Sequence, residues 1–385
     1  MGTSDLLVAG NIHTLDPARP QVEAVLLREG RVARLGTLDE CRHEARAARL
    51  LDLDGGSVVP GLADAHGHVV LHARALEEVR LGDAPDAEAC AARASARARS
   101  LPHGAWVRGR GWDETRWPAP SLPDERLLSR AVPDHPVVLE RVDGHAAWVN
   151  ARALAAAGIG PETRDPAGGR IVRDARGRPT GVLVDAAQQL VLEQIPAASA
   201  AELERLLAIG LHDLVKLGLT AVHDAGCTSS VMRAYARLAA ADRLPLRVYA
   251  MVDGHQPEGS LAAELARWSA RPALGRLEVR AVKLFADGAL GSRGAALLDG
   301  YADEPGQHGL LVAPPEALAA RVRAVARAGF QPAVHAIGDR ACHEVALAFA
   351  ALWPAVEDVR GFRPRVEHLQ IVRGEDLARL AEVGA

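Results

Sequence analysis

Two histidines one residue apart, His66 and His68, close the run Val58-Val59-Pro60-Gly61-Leu62-Ala63-Asp64-Ala65-His66-Gly67-His68. If Val58–Leu62 is a buried strand, the alternation of an extended chain sends both imidazoles to one side of its C-terminal end, where they can hold one metal ion. Spacing alone is weak evidence, because 15 histidines in 385 residues produce such a pair by chance about 0.6 times. The surroundings must decide. The chain has 45 basic residues, of which two, Lys216 and Lys283, are lysines. An ordinary surface cation is therefore written Arg, and a surviving Lys needs a reason. Lys216 falls in an amphipathic run from Glu202 to Leu217 that predicts a helix, where a solvated place suits it. Lys283 falls inside the strand-like Val279-Arg280-Ala281-Val282-Lys283-Leu284-Phe285, where a long charged side chain fits as a buried functional amine.

The elements that must position these residues alternate strand and helix from Val58 onward. Six candidate strands are Val58–Leu62, Leu219–His223, Leu246–Met251, Val279–Phe285, Gln331–His335 and Arg365–His368. Most precede Ala- and Leu-rich helical stretches, the rhythm of β/α units. In a parallel α/β barrel all strand C-termini open on one face, so His66 and His68, Lys283, His335 and His368 would converge. Neutral imidazoles suit zinc and similar ions, and a histidine set with an open position is catalytic rather than structural. Residues 1–57 alternate short strands and turns and predict a small antiparallel β piece. Residues 80–200 break the rhythm between the first and second barrel strands. They hold Trp106, Trp112, Trp117, Trp148 and a hairpin turning at Ala175-Arg176-Gly177, and predict an insertion that packs over the site.

Composition narrows the partners. A net charge of −4 and pI near 6.4 offer no basic excess for phosphate backbones or anionic lipid, so neither nucleic acid nor a membrane is expected. Cys41, Cys90, Cys227 and Cys342 form no CxxC pair, which argues against a zinc ribbon or a disulfide scaffold. A reducing cytoplasm is the expected location, because no export signal or membrane-length apolar run is present.

The motifs Gly61-Leu62-Ala63-Asp64-Ala65-His66-Gly67-His68, Asp143-Gly144-His145-Ala146-Ala147-Trp148-Val149-Asn150, Lys283-Leu284-Phe285-Ala286-Asp287-Gly288-Ala289-Leu290-Gly291-Ser292-Arg293, Val334-His335-Ala336-Ile337-Gly338-Asp339 and Arg365-Val366-Glu367-His368 resemble those of the metal-dependent amidohydrolase superfamily. Within it they are most similar to the YtcJ-like group that includes N-substituted formamide deformylases. The resemblance implies an α/β fold: a distorted TIM-type (β/α) barrel over residues 58–385 beside a small β-sandwich whose N-terminal part is residues 1–57. It implies a divalent metal, zinc foremost, held by His66, His68, His335 and His368. Lys283, if carbamylated, would bridge two ions; with one ion it would be a charged structural or substrate-binding group. Carbamylation requires the neutral amine, whereas an exposed lysine with pKa near about 10.4 is protonated at neutral pH. Burial near metal cations would favour the neutral form.

The implied activity is hydrolysis of a small-molecule amide, at C–N bonds other than peptide bonds, by metal-activated hydroxide. N-substituted formamides are one substrate class. A superfamily deaminase with one ion, or a non-catalytic truncated metal-binding protein, are the alternatives. His145 would contact the substrate or its oxyanion, Trp112 and Trp148 would wall a pocket, and Arg293 would meet an acidic substituent. Core packing for the tryptophans and a solvated face for the arginine stand beside those roles. Family members carry two further β/α units, the last with a metal-binding, proton-shuttling aspartate. Here Gly374–Ala385 predicts the sixth helix with its Gly cap, so about six of eight units are expected and the catalytic aspartate would lie beyond Ala385. Asp64, Asp287 and Asp339 each suit a turn role instead. An open barrel of this kind would expose unpaired strand edges and invite self-association, a homo-oligomer being one outcome.

Overall fold

The computed structural model describes residues 5–269, 273–352 and 362–385. The chain divides into two compact units, one of residues 1–67, 211–232 and 236–385 and the other of residues 68–210 and 233–235.

The first unit begins with a four-stranded sheet of β1 (Leu6–His13), β2 (Gln21–Arg28), β3 (Arg31–Gly36) and β4 (Arg49–Val58), in the order β3-β2-β1-β4. The sheet is mixed rather than purely antiparallel, because β4 runs parallel to β1. A parallel neighbour needs a crossover, which the helix Leu38–Glu44 supplies; its start is held by a capping box between Thr37 and Glu40. Leu7, Ala24, Leu26 and Cys41 are buried together at this crossover.

Val58 ends β4, opposite Ile12, and does not open a barrel strand. Pro60 has no amide N–H to give a ladder, and Val59–Gly61 form the connection. The first barrel strand is β5 (Leu62–Gly67), later than expected, so His66 lies within the strand. Gly61 must lack a side chain, since a Cβ there would sit 2.3 Å from Thr220 Oγ1.

The second unit has a sheet of its own. Its strands are β6 (Val79–Arg80), β7 (Val107–Trp112), β8 (Val137–Arg141), β9 (Ala146–Val149), β10 (Gly169–Arg173) and β11 (Pro179–Asp185), in the order β10-β11-β9-β8-β7-β6. The hairpin at Ala175-Arg176-Gly177 joins β10 to β11, with Ile171 opposite Leu183. Alternate residues feed two cores. Trp112, Leu139 and Trp148 pack into one, and Val138, Ala147, Val149 and Leu183 into the other, so the sheet is covered on both faces.

The barrel resumes with β12 (Leu219–Cys227), β13 (Arg247–Asp253), β14 (Leu277–Phe285), β15 (Gln331–Ala336) and β16 (Arg365–His368). With β5 they form a six-stranded, wholly parallel sheet in the order β16-β15-β14-β13-β12-β5. Each strand lies beside its predecessor, the arrangement of a barrel. The sheet is nearly closed: Arg365 Nη2 on β16 donates to the Ala65 carbonyl on β5 at 2.8 Å. Ala225, Met251, Ala281 and Ala333 form the adjoining core, and its three alanines let six strands curl tightly. The two edge strands therefore meet through side chains, a partial answer to the exposed edges expected from the sequence. Lys216, the last residue of the helix Ala200–Lys216, is exposed, where a cation complements the helix end. Among the described residues no helix is long and apolar enough to cross a membrane.

Candidate metal centre

Strand register brings the chemistry together. Lys283 lies opposite Ala333, Phe285 opposite His335, Ala333 opposite Arg365 and His335 opposite Glu367. Residues so paired share a face of the sheet, and period-two alternation keeps Lys283 with Phe285 and Arg365 with Glu367. His368 follows Glu367 directly and would point away in an extended strand. Its φ of 74° places it in the left-handed region, unusual for a residue with a side chain and concentrated at functional sites. That turn brings its ring back. The His368 ring centre lies 4.6 Å from that of His335 and 4.9 Å from that of His66.

Each member is held by a neighbour. His66 Nδ1 is hydrogen-bonded to Glu367 Oε2, which leaves Nε2 as the nitrogen available to an ion. Glu367 is 4% exposed and accepts from Arg365 Nε at 2.8 Å. Burial works to raise its carboxyl, but the hydrogen bonds and charges of His66 and Arg365 hold it below the usual range. Arg365 also meets His223 Nδ1 at 2.7 Å. His335 Nε2 lies 3.3 Å from the Gly288 carbonyl. Burial pushes His335 down, with the Lys283 charge adding to it; burial does the same to His368, with repulsion from His335, His66 and Lys283 adding to it. Both shifts favour neutral imidazole, the form that binds metal.

Lys283 is 1% exposed. Its Nζ sits 3.6 Å above the Phe285 ring centre and donates to the Leu284 carbonyl at 3.3 Å. Burial lowers its pKa to about 8, against the pull of Glu367. Three gathered imidazoles, a buried amine and a carboxylate suit a borderline divalent ion.

The remaining expected residues are placed as follows. His68 is exposed and is the N-cap residue of the helix Val69–Glu77, in the second unit. His145 is also in that unit, exposed, with Nδ1 2.8 Å from Asp185 Oδ1. Trp112 and Trp148 are fully buried, and Trp112 Nε1 donates to the Leu139 carbonyl at 2.7 Å; core packing accounts for all of their surface, so they do not wall an open pocket. Arg293 forks onto both carboxylate oxygens of Asp303 at 2.7 Å, which occupies its guanidinium.

Two contributors escape sequence reasoning. Glu367 is the carboxylate that orients His66; its adjacency to His368 was the available signal, masked by the rule that neighbours on a strand diverge. Asp287, expected in a turn, is a buried staple. It accepts from Ala296 N at 2.9 Å, Ile337 N at 3.0 Å and Gly338 N at 2.8 Å, and its Oδ1 lies 3.4 Å from His335 Nε2. Asp64, expected in a turn, lies within β5 instead, where it accepts from His66 N at 3.0 Å. Asp339 bonds farther afield, to Leu298 N at 2.9 Å. A tighter set of potential ligand atoms lies elsewhere, where His343, Glu375 and Asp376 fall within 4.8 Å of one another. There Arg379 already sits 2.7 Å from Asp376 as its cation.

Comparison with known proteins places the chain in a family. The model of the Amidohydrolase family matches residues 49–385. YtcJ of Bacillus subtilis, whose name describes it as an amidohydrolase, is 33% identical across 97% of this chain and 70% of its own length. The N-substituted formamide deformylase of Arthrobacter pascens is 33% identical across 65% of this chain and 47% of its own. A crystal structure of an uncharacterised metal-dependent hydrolase from Pyrococcus horikoshii superposes with a TM-score of 0.80 at 25% identity, over 99% of this chain and 73% of that one. Such relatives imply a divalent metal in this fold. The chain belongs to the amidohydrolase family.

Proposed function

We propose that His66, His68, His335 and His368 hold a divalent ion, zinc foremost, and that the protein hydrolyses amide-type C–N bonds other than peptide bonds, N-substituted formamides among them. The observation that carries this is the gathering of the His66, His335 and His368 rings around a left-handed His368, beside a lysine buried to 1% exposure. A bound divalent ion supplies Lewis acidity for the substrate carbonyl and lowers the pKa of water. The chain's own groups do the rest. Glu367 fixes the ring and tautomer of His66. Asp287 ties the 286–296 loop to the segment after β15 and so fixes His335. Lys283, partly neutral at physiological pH, would be able to add carbon dioxide at Nζ with loss of a proton, and the carbamate would offer oxygen ligands in place of the amine.

The test is formate release from N-alkylformamides, measured for this chain and for a version extended by two β/α units. Zinc-dependent release that disappears in His335→Ala, and two ions per chain, are expected. One ion per chain with ammonia released from amino-substituted rings would favour the deaminase instead. Metal binding without turnover in the extended form would favour the non-catalytic alternative.

A further inference from the structure

The second unit contains a cavity of about 650 Å³, within the range of small-molecule sites. All of its lining residues belong to that unit, and none is a candidate metal ligand. Four arginines and three glutamates line it, but their pairing is uneven. Arg205 takes two of the acids, reaching Glu77 at 2.6 Å and Glu202 at 2.7 Å. Arg108 takes the third, Glu78, at 3.2 Å. Arg97 bonds only to the neutral Ser100 side chain, at 3.1 Å. Arg74 is partly buried and has no acid within 4.0 Å among the described residues; Arg108 repels it, and Glu78 and Glu202, each paired to another arginine, attract it from farther away. A guanidinium withdrawn from water beside a second one is an unfavourable arrangement unless an anion joins them. Part of the lining is apolar. Trp106 and Ile195 pack against the unit's second core and line the same cavity.

We propose that this cavity binds a small organic carboxylate with an apolar body. The planar fork of Arg74 matches a carboxylate geometrically, and Trp106 with Ile195 supplies the surface for an aryl or alkyl group. The three glutamates do not oppose such an anion, because each is already neutralised by Arg205 or Arg108. A neutral molecule of the same shape would leave Arg74 unsatisfied, so charge is the discriminating feature.

Calorimetric titration of the metal-free protein with phenylacetate, and with 2-phenylethanol as its uncharged counterpart, tests this. Removal of metal keeps the acid from binding at the histidine cluster. One phenylacetate per chain is expected, with affinity lower by at least about tenfold for the alcohol and for phenylacetate with Arg74→Gln. Should Arg74→Gln fail to fold, hydrogen exchange of the unaltered protein decides: phenylacetate should protect residues 97–108 and 195–206. Equal affinity for acid and alcohol, unchanged affinity in a folded Arg74→Gln, protection confined to other segments, or no binding at millimolar acid would each overturn the proposal.

Discussion

Asn150 in the second unit and Lys283 in the barrel are both buried polar side chains, yet they are treated in opposite ways. Asn150 is 0% exposed, and its amide is fully engaged. Nδ2 donates to the Val132 and His135 carbonyls at 3.1 and 2.8 Å, while Oδ1 accepts from Val137 N and Ala153 N at 3.0 and 3.1 Å. Lys283 has three N–H donors and, among the described residues, a single bond at 3.3 Å. Its surroundings include His335 and His368, which share its sign when protonated. A buried group whose bonds are complete holds structure together. One that is left underbonded among potential cations needs something more, and the proposed metal or carbamate would meet that need. The same contrast separates Trp112, whose surface and N–H are used up by the core, from His368, whose strained backbone serves no packing purpose.

Substitutions should separate the two regions. The largest change in stability is expected from Trp112→Ala, a loss of about 3–5 kcal/mol from the cavity left behind, read by denaturant unfolding. Metal bound per folded molecule should not change.

Lys283→Met should act in the other direction. In metal-free protein at pH 7 it should raise stability by up to about 3 kcal/mol, from a pKa shift costing about 1.4 kcal/mol per unit. Below pH 8 both folded and unfolded chains carry the proton, so the folded state bears the full desolvation penalty. Between about 8 and 10.5 the unfolded chain binds more protons, and stability of the unaltered protein rises with pH. Above that window the advantage of Met should be gone. An advantage that is flat from pH 7 to 11 would show that the amine is not buried as described.

Glu367→Gln should weaken metal binding by about 10–100-fold, the range for a residue that orients a histidine ligand, as measured by competition with a chelator. The smallest effect belongs to Trp148→Phe. Trp148 Nε1 is buried without a hydrogen-bond partner among the described residues, so losing it should cost less than about 1 kcal/mol more than the lost ring volume. Trp112→Phe, which removes a 2.7 Å bond to the Leu139 carbonyl, should cost more.

The middle barrel strands are legible because parallel strands covered on both faces read as largely apolar runs, whereas Arg365-Val366-Glu367-His368 is legible from its motif. The run at Gln331–His335 became Gln331–Ala336, and Arg365–His368 was unchanged. The first barrel strand was misplaced because apolar residues flank both sides of Pro60-Gly61, and only tertiary pairing assigns Val58 to Ile12 and Leu62 to Leu219. The inserted region was recognised as an interruption, but its sheet was not, since β6 has two residues and the strands mix directions. Glu367 was hidden by strand alternation, because nothing in a histidine codon announces a left-handed backbone. Asp287 gave no local signal, as two of its three amide partners are 50 and 51 residues away.

The central claim is that the histidine cluster is a metal centre, and metal content after equilibrium dialysis against zinc measures it directly. The unaltered protein should retain one or two ions per chain. His335→Ala should lose them, with an affinity drop exceeding about 100-fold, while Trp112→Phe and His343→Ala retain them. Undiminished zinc in His335→Ala, or no zinc in the unaltered protein, would contradict the assignment.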